Sequence, residues 1–289
     1  MGKIYKTLIM DGRISLSVLD TTDVVNKAIE FHKLSPVCAA ALGRLLTETA
    51  FMASSLKDEN ERLSITINGG GLGGQIVTAA DGNLRVRGSI QNPNVDIPLK
   101  SNGKLNVGAV VGKDGYITVV KNLGLKEPYV GRCRLVSGEV AEDITAYYAY
   151  SEQQPTAAAL GVLIGTDGNC IGAGGVIVQP MPDASEQDLI EAENLIKEFS
   201  DVSKKISDYG GEGVCRKYFA NYEFTEFTTV YECNCSRDYI DGVLLAMGKN
   251  ELYRTIAEQG KIEVECQFCN KKYVYTNKDV DELLNEQDE

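Results

Sequence analysis

The 289-residue sequence contains a single histidine, His32, and lacks the common catalytic motifs that depend on histidine. Neither H-E-x-x-H nor G-x-S-x-G occurs, and there is no Walker phosphate-binding sequence. Most acid–base and triad chemistries need a histidine with suitable partners, and none lies close to His32 along the chain. We therefore expect no catalytic residues and no enzyme, and we assign His32 a surface or helix-capping role.

Long hydrophobic runs are also absent. No stretch of about 18 apolar residues occurs, and the opening residues MGKIYKTLIMDGRIS lack the apolar core of a secretory signal peptide. The formal net charge is −12, which disfavours binding to phosphate backbones and acidic membrane surfaces. We thus expect a protein of the reducing cytoplasm that binds neither nucleic acid nor membranes.

Four of the eight cysteines form two close pairs in the last fifth of the chain. Cys233 and Cys235 form C-x-C, and Cys266 and Cys269 form C-x-x-C after a spacer of 30 residues. Two such pairs are the ligand set of a tetrahedral Zn²⁺ site, and the metal is held by sulfur alone because His32 is remote. The alternatives are buried packing cysteines, which rarely pair in this way, and secretory disulfides, which do not suit a reducing compartment.

The other four cysteines have no spaced partners. Cys38 lies in the first turn of a predicted helix, where the helix dipole can lower a thiol pKa, but no basic side chain is its close neighbour in sequence. We predict that Cys38, Cys133 and Cys170 are packing residues, and we assign Cys215 no role.

The pattern up to residue 182 predicts a large α+β domain of mainly antiparallel sheet with packed helices. It opens with a hairpin turning at Asp11–Gly12, and Ser35–Pro36 then begins an Ala- and Leu-rich helix that reads as a buried scaffold, with Ser35 as N-cap. Short alternating segments separated by Gly-containing turns fill residues 62–136.

A glycine-rich segment, GGGLGG at residues 69–74, formally contains G-x-G-x-x-G. A dinucleotide-binding loop must open a helix, whereas the following residues alternate as a strand does. The segment therefore predicts a hairpin turn rather than a phosphate-binding loop.

Residues 183–230 have the composition of an amphipathic linker. One helical stripe in it is apolar, and Ser185 with Asp188 three residues later resembles a capping box. The stripe consists of Leu189, Ala192, Ile196, Phe199, Val202 and Ile206. Gly210, Gly211 and Gly213 then loosen the chain, so we expect a metastable, conditionally folded segment. An ordinary surface helix followed by a strand is the alternative.

Residues 231–289 form a small C-terminal domain around the four cysteines. Ser236 is placed to cap a helix, a second helix covers residues 250–258, and the second cysteine pair lies at the tip of a hairpin. This region carries 13 acidic and 7 basic side chains, which argues against a nucleic-acid-binding zinc ribbon. With only 59 residues it is too small to fold without a cross-link or a bound metal, and we expect the metal to supply that stabilisation.

The chain resembles the 33-kilodalton heat-shock protein family, the redox-regulated holdase chaperones of bacteria. The resemblance runs from end to end and includes HKLSPVCAAALGRLL, YVGRCRLVSGEVAEDITAYYAYSEQQPTAAALGV, GGVIVQPMP and the cysteine pairs in ECNCSR and ECQFCNKKY. It implies that Cys233, Cys235, Cys266 and Cys269 bind one Zn²⁺ when reduced and form two neighbouring disulfides when oxidised. It further implies that the metal is then released and the switch domain and linker unfold.

The same resemblance implies a dimer that, when oxidised, holds unfolding proteins without ATP. Two other functions are compatible with paired cysteines, namely a zinc-ribbon nucleic-acid-binding module and a thiol–disulfide oxidoreductase. The first requires a basic face. The second places its C-x-x-C at the start of a helix, whereas Cys266 and Cys269 are expected in a hairpin.

Overall fold

A computed structural model describes residues 1–285 of the chain. The structure divides into two compact units, Met1–Glu232 and Cys233–Glu289. None of the described helices is long and apolar enough to cross a membrane.

A ten-stranded sheet forms the centre of the first unit. Its strands are β1 (Gly2–Ile9), β2 (Ile14–Asp20), β3 (Arg62–Gly70), β4 (Ile76–Asp81), β5 (Arg85–Ile90), β6 (Gly112–Asn122), β7 (Tyr129–Arg134), β8 (Ala157–Ile164), β9 (Cys170–Pro180) and β10 (Thr225–Tyr231). Their spatial order is β7-β6-β3-β4-β5-β10-β1-β2-β9-β8. Every pair is antiparallel except β10 with β5, so the prediction of a mainly antiparallel sheet is confirmed.

Helices pack on both faces of this sheet. They are α1 (Thr22–His32), α2 (Pro36–Ala53), α3 (Val107–Val111), α4 (Ala141–Tyr147), α5 (Glu186–Lys197) and α6 (Val202–Tyr218), with a π-helical turn at Tyr148–Glu152. The predicted scaffold helix is α2, whose Leu42, Leu45 and Leu46 are fully buried in the larger apolar cluster with α1. The α+β class predicted from the sequence is confirmed.

The start of α2 differs from the prediction in one detail. Ser35 occupies the N-cap position before Pro36, but its side chain makes no capping hydrogen bond. Its buried hydroxyl has no partner among the described residues, so the helix start is fixed by Pro36 and by packing.

The glycine-rich segment connects β3 to β4 and opens no helix, which confirms the predicted hairpin turn. Its glycines are required by a close approach of two backbones. A Cβ atom at Gly71 would lie 2.4 Å from the backbone N of Gly112, at the end of α3.

Residues 183–230 supply α5, α6 and β10 to the first unit, and β10 lies in the interior of the sheet between β5 and β1. Together α5 and α6 bury a second apolar cluster against β1, β2 and β9, including Phe199, Val202 and Ile206. The linker boundaries at residues 182 and 231 and the metastability of this segment stay predictions.

One local expectation for this segment was wrong. The continuous apolar stripe is divided between α5 and α6, which are separated at residues 198–201. The glycines interrupt the helix at one residue: Gly210 has φ = 67° and ψ = 171°, so helical backbone stops there and begins again at Gly211 to reach Tyr218. The helix resumes because the backbone N–H of Gly211 donates to the Asp20 carboxylate, 3.0 Å away.

The surface role predicted for His32 was wrong. The side chain is only 8% exposed, and its Nε2 lies 3.2 Å from the hydroxyl of Tyr231 in β10. That hydroxyl also donates to the carbonyl of Gly88 in β5, 2.8 Å away. The last turn of α1 therefore contacts β10, the strand that directly precedes the second unit in the chain.

The second unit contains three helices and one hairpin in its described residues. These are α7 (Arg237–Met247), α8 (Lys249–Gln259), β11 (Ile262–Glu265), β12 (Lys272–Tyr275) and α9 (Asn277–Asn285). Its apolar core is small and consists of Ile240, Leu244, Leu252, Ile262, Tyr273, Tyr275, Val280 and Leu283. A core of this size gives limited stability to a unit that must fold on its own.

Candidate metal centre

The first cysteine pair is positioned by the start of α7. Ser236 is the N-cap, and its Oγ accepts a hydrogen bond from the backbone N–H of Tyr239 at 3.1 Å, as the sequence predicted. This cap fixes the direction in which the chain enters the helix. Cys233 and Cys235 lie in the extended segment immediately before it.

The second pair lies in the turn between β11 and β12, which confirms the predicted hairpin. The backbone N–H groups of Cys269 and Asn270 both donate to the carbonyl of Cys266, at 3.3 and 2.8 Å. Asn270 has φ = 57°, a left-handed conformation that asparagine tolerates better than most residues. The tight turn brings both thiols of the pair to one site.

All four sulfurs converge at one point. The Sγ atoms of Cys233 and Cys266 are 3.6 Å apart, those of Cys235 and Cys269 are 3.4 Å apart, and all four lie within 4.8 Å of one another. Four thiolates bound to one Zn²⁺ at roughly 2.3 Å form a tetrahedron with edges of about 3.8 Å. The arrangement therefore fits a single metal ion with four sulfur ligands, and the spacings exceed the roughly 2.05 Å of a disulfide bond.

The thiols shift one another's acidity. Burial, together with the neighbouring thiols, raises the pKa of Cys233 well above its usual value, and burial raises the pKa of Cys269 to about 11. Burial opposes ionisation of Cys235 as well, but hydrogen bonds from Tyr273 and the adjacent thiols lower its pKa. Four thiols this close cannot all ionise without a cation among them, and a thiophilic divalent metal supplies that charge.

Tyr273 is a member of this site that the sequence did not identify. Its hydroxyl donates to the Sγ of Cys235 at 3.2 Å. On β12 it shares a face with Tyr275, whose hydroxyl donates to Asp241 at 2.5 Å, and both rings are buried. Two alternate tyrosines on a buried strand face were the available signal, since buried phenols need hydrogen-bond partners.

The remaining cysteines stay outside the cluster. Cys38, Cys133, Cys170 and Cys215 are all buried, which confirms the packing role predicted for the first three. Burial raises the pKa of Cys170 to about 11 and that of Cys215 to about 12, and it raises the pKa of Cys133. Such thiols are poor nucleophiles and poor metal ligands at neutral pH.

Comparison with known proteins gives a consistent result over the whole chain. A family model described as "Hsp33 protein" matches residues 2–276. A 33 kDa chaperonin of Caldanaerobacter subterraneus is 40% identical over 287 residues, covering 98% of this chain and 97% of the relative. One from Ruminiclostridium cellulolyticum is 43% identical over 271 residues, covering 92% of each.

A solved structure agrees with these matches. The crystal structure of a 33 kDa chaperonin from Thermotoga maritima superimposes with a TM-score of 0.88 at 35% identity, covering 99% of this chain and 98% of that one. With a family match across nearly the full length and relatives at about 40% identity, the chain belongs to the Hsp33 protein family.

Proposed function

We propose that this protein is a redox-regulated, ATP-independent chaperone that holds unfolding proteins under oxidative stress in the cytoplasm. The convergence of four thiols in a small C-terminal unit is the observation that carries the proposal. The names of its relatives support a chaperone role. Its partners are unfolding proteins, its active oxidised form is a homodimer, and it is not an enzyme.

The metal in the reduced protein is Zn²⁺, one per chain, held by Cys233, Cys235, Cys266 and Cys269. Zinc accepts four thiolates in tetrahedral geometry and keeps them in the ionised form that oxidants attack. Binding at structural sites of this kind contributes on the order of 10 kcal/mol to folding. A unit with so small an apolar core is expected to unfold when it loses the metal.

Oxidation acts on these same sulfurs. Each disulfide forms when two thiolates give two electrons to a peroxide, which takes up protons and leaves as water, and sulfurs joined in this way no longer ligate zinc. The disulfides join neighbours in sequence, Cys233 to Cys235 and Cys266 to Cys269. In the folded site the sulfurs lie 3.4–4.8 Å apart rather than at the roughly 2.05 Å of a disulfide, so either disulfide must draw two sulfurs together and distort the four-sulfur arrangement.

The consequence for client binding follows from the position of residues 183–230. If this segment unfolds with the switch, α5 and α6 leave the sheet and uncover apolar side chains of β1, β2 and β9, among them Leu16, Val18, Val176 and Val178. Loss of β10 also opens the edges of β5 and β1. Apolar area of more than a few hundred Å², next to unpaired strand edges, binds unfolded chains.

The packing of α6 supports its release. A Cβ atom at Gly161 would lie 3.0 Å from Ser203, and one at Gly172 would lie 2.3 Å from the carbonyl of Ser203. Part of α6 therefore lies directly on the sheet through small and polar residues, which contribute less burial energy than large apolar ones. The docking depends on close contact that modest displacement disrupts.

The proposal is tested by treating the protein with peroxide at mildly raised temperature. We expect release of about one zinc per chain, measured with a metal indicator, together with loss of far-UV helicity and suppression of aggregation of a denatured client. Reduction should restore the inactive form. Reduced protein that suppressed aggregation equally well would contradict the proposal, and Cys266→Ser serves as the variant that lacks a complete site.

A further inference from the structure

The edge strand β7 has an open side. Among the described strands it pairs only with β6, and four of its six residues are exposed, whereas no residue of β8, the strand at the opposite edge, is exposed. An edge strand presents unpaired backbone N–H and C=O groups that accept another extended chain.

The residues whose backbone groups point outward can be identified from the ladder. Leu135 donates its N–H to the carbonyl of Gly115 in the register that continues the β6–β7 pairing. Because successive residues of an antiparallel strand alternate in direction, the groups of Val130, Arg132 and Arg134 point away from β6. Of these groups, the carbonyl of Arg134 accepts the thiol of Cys133, 3.3 Å away.

The same three residues place their side chains on the exposed face of the strand. Val130 is 58% exposed, and the guanidinium carbons of Arg132 and Arg134 lie 3.8 and 5.6 Å from the ring centroid of Tyr116. Neither arginine forms an ion pair with any residue that the structure describes. The strand therefore presents two positive charges, both close to the ring of Tyr116, beside its outward-pointing backbone groups.

The charges of Arg132 and Arg134 indicate which kind of polypeptide can pair with the open edge of β7. A second copy paired through its own β7 about a two-fold axis would bring arginines opposite arginines, and like charges opposite each other destabilise a strand pair. A strand with acidic side chains at alternate positions would instead place them beside Arg132 and Arg134. Exposed apolar side chains before and after β7, including Leu125 and Val136, are available to pack against apolar residues of the added strand.

We propose that β7 binds an extended segment of an unfolding polypeptide by strand addition, with a preference for acidic residues at alternate positions. The identity of this partner as a client rests on the proposed chaperone function. The backbone pairing supplies affinity without regard to sequence, and the two arginines supply the preference.

The test uses the full-length protein, reduced and oxidised, with two labelled nine-residue peptides of alternating Val–Asp or Val–Lys sequence. We expect the Val–Asp peptide to bind about tenfold more tightly in fluorescence anisotropy, from two charge pairs of ordinary strength. Arg132→Glu with Arg134→Glu should reverse the preference. Lys57→Glu with Lys104→Glu alters the net charge equally at exposed sites elsewhere and should leave the preference unchanged.

Val130→Pro removes one outward N–H without touching the β6 ladder, and it should weaken both peptides alike. Equal binding of both peptides to wild type and to the Arg132→Glu, Arg134→Glu variant would overturn the proposal. So would loss of dimerisation, rather than of peptide binding, in the β7 variants. If the peptides behave as expected but the oxidised protein does not suppress aggregation, the chaperone function fails and the strand-addition site stands.

Discussion

The hydroxyl of Tyr273 donates a hydrogen bond to the Sγ of Cys235, 3.2 Å away, and so joins the apolar core of the C-terminal unit to its four-cysteine cluster. The substitution Tyr273→Phe keeps the ring but removes the hydrogen bond that orients this sulfur. Outer-shell partners of this kind typically contribute 10–100-fold to metal affinity, so we expect zinc binding to weaken by about tenfold. Chelator competition measures this.

Tyr239→Phe is the matched control, because Tyr239 lies in the same unit with an exposed ring. Equal zinc affinities of the two variants would mean that the Tyr273 hydroxyl does not tune the site.

Gly172→Ala tests the docking of α6. The new Cβ atom would lie 2.3 Å from the Ser203 carbonyl and 2.9 Å from Ser207, so the helix must move away from the sheet. We expect about 1–3 kcal/mol of lost docking energy, the usual cost of overpacking, and partial aggregation suppression without oxidant. Aggregation assays on reduced, zinc-loaded protein measure it. A variant as inactive as wild type when reduced would show that α6 release does not control client binding.

Gly242→Ala acts in the opposite direction on the second unit. Gly242 lies within α7, and a Cβ atom there would meet no atom within 4 Å. Alanine is favoured over glycine in a helix by about 1 kcal/mol, so the folded switch should become more stable. We expect zinc release by peroxide to slow, measured with a metal indicator. Release at the wild-type rate, with unchanged thermal stability, would contradict this.

Glu48 makes the first unit sensitive to pH. It is fully buried in α2, and burial raises its pKa from 4.5 to about 8, although the hydrogen bond from Tyr148 partly opposes the shift. The folded state thus keeps the proton that the unfolded chain loses. This contribution to stability is fully present below about pH 4.5 and declines as the pH rises to about 8.

Glu48→Gln removes that titration. Relative to wild type, the free energy of unfolding should rise with pH, and by pH 9 the difference should exceed its value at low pH by about 5 kcal/mol. Urea unfolding at pH 5, 7 and 9 measures the difference. The exposed Glu142→Gln is the control, and a wild-type-like pH dependence in Glu48→Gln would refute the assignment.

The cluster of four cysteines could be predicted because its signals are local. Two short cysteine spacings name the ligands, and Ser236 and the hairpin around Cys266 place them. The same holds for Ser185, whose Oγ accepts from the backbone N–H of Asp188 in the predicted capping box.

What the sequence could not supply depends on pairing between distant residues. His32 is buried through Tyr231, 199 residues away, and no local pattern reveals that contact. The interior position of β10 depends likewise on β1 and β5. The restart of α6 at Gly211, directly after the break at Gly210, depends in the same way on Asp20, which is 191 residues away in the chain.

The interior place of β10 also governs how the protein is made. Because β10 joins β5 to β1, the two halves of the sheet share no backbone pairing until residues 225–231 have been synthesised and have left the ribosome. Closing a pair as distant as β1 and β10 is slow, since a long loop must be ordered first. Until β10 is inserted, the nascent chain therefore presents the open edges of β5 and β1, and open edges of this kind can pair with other chains.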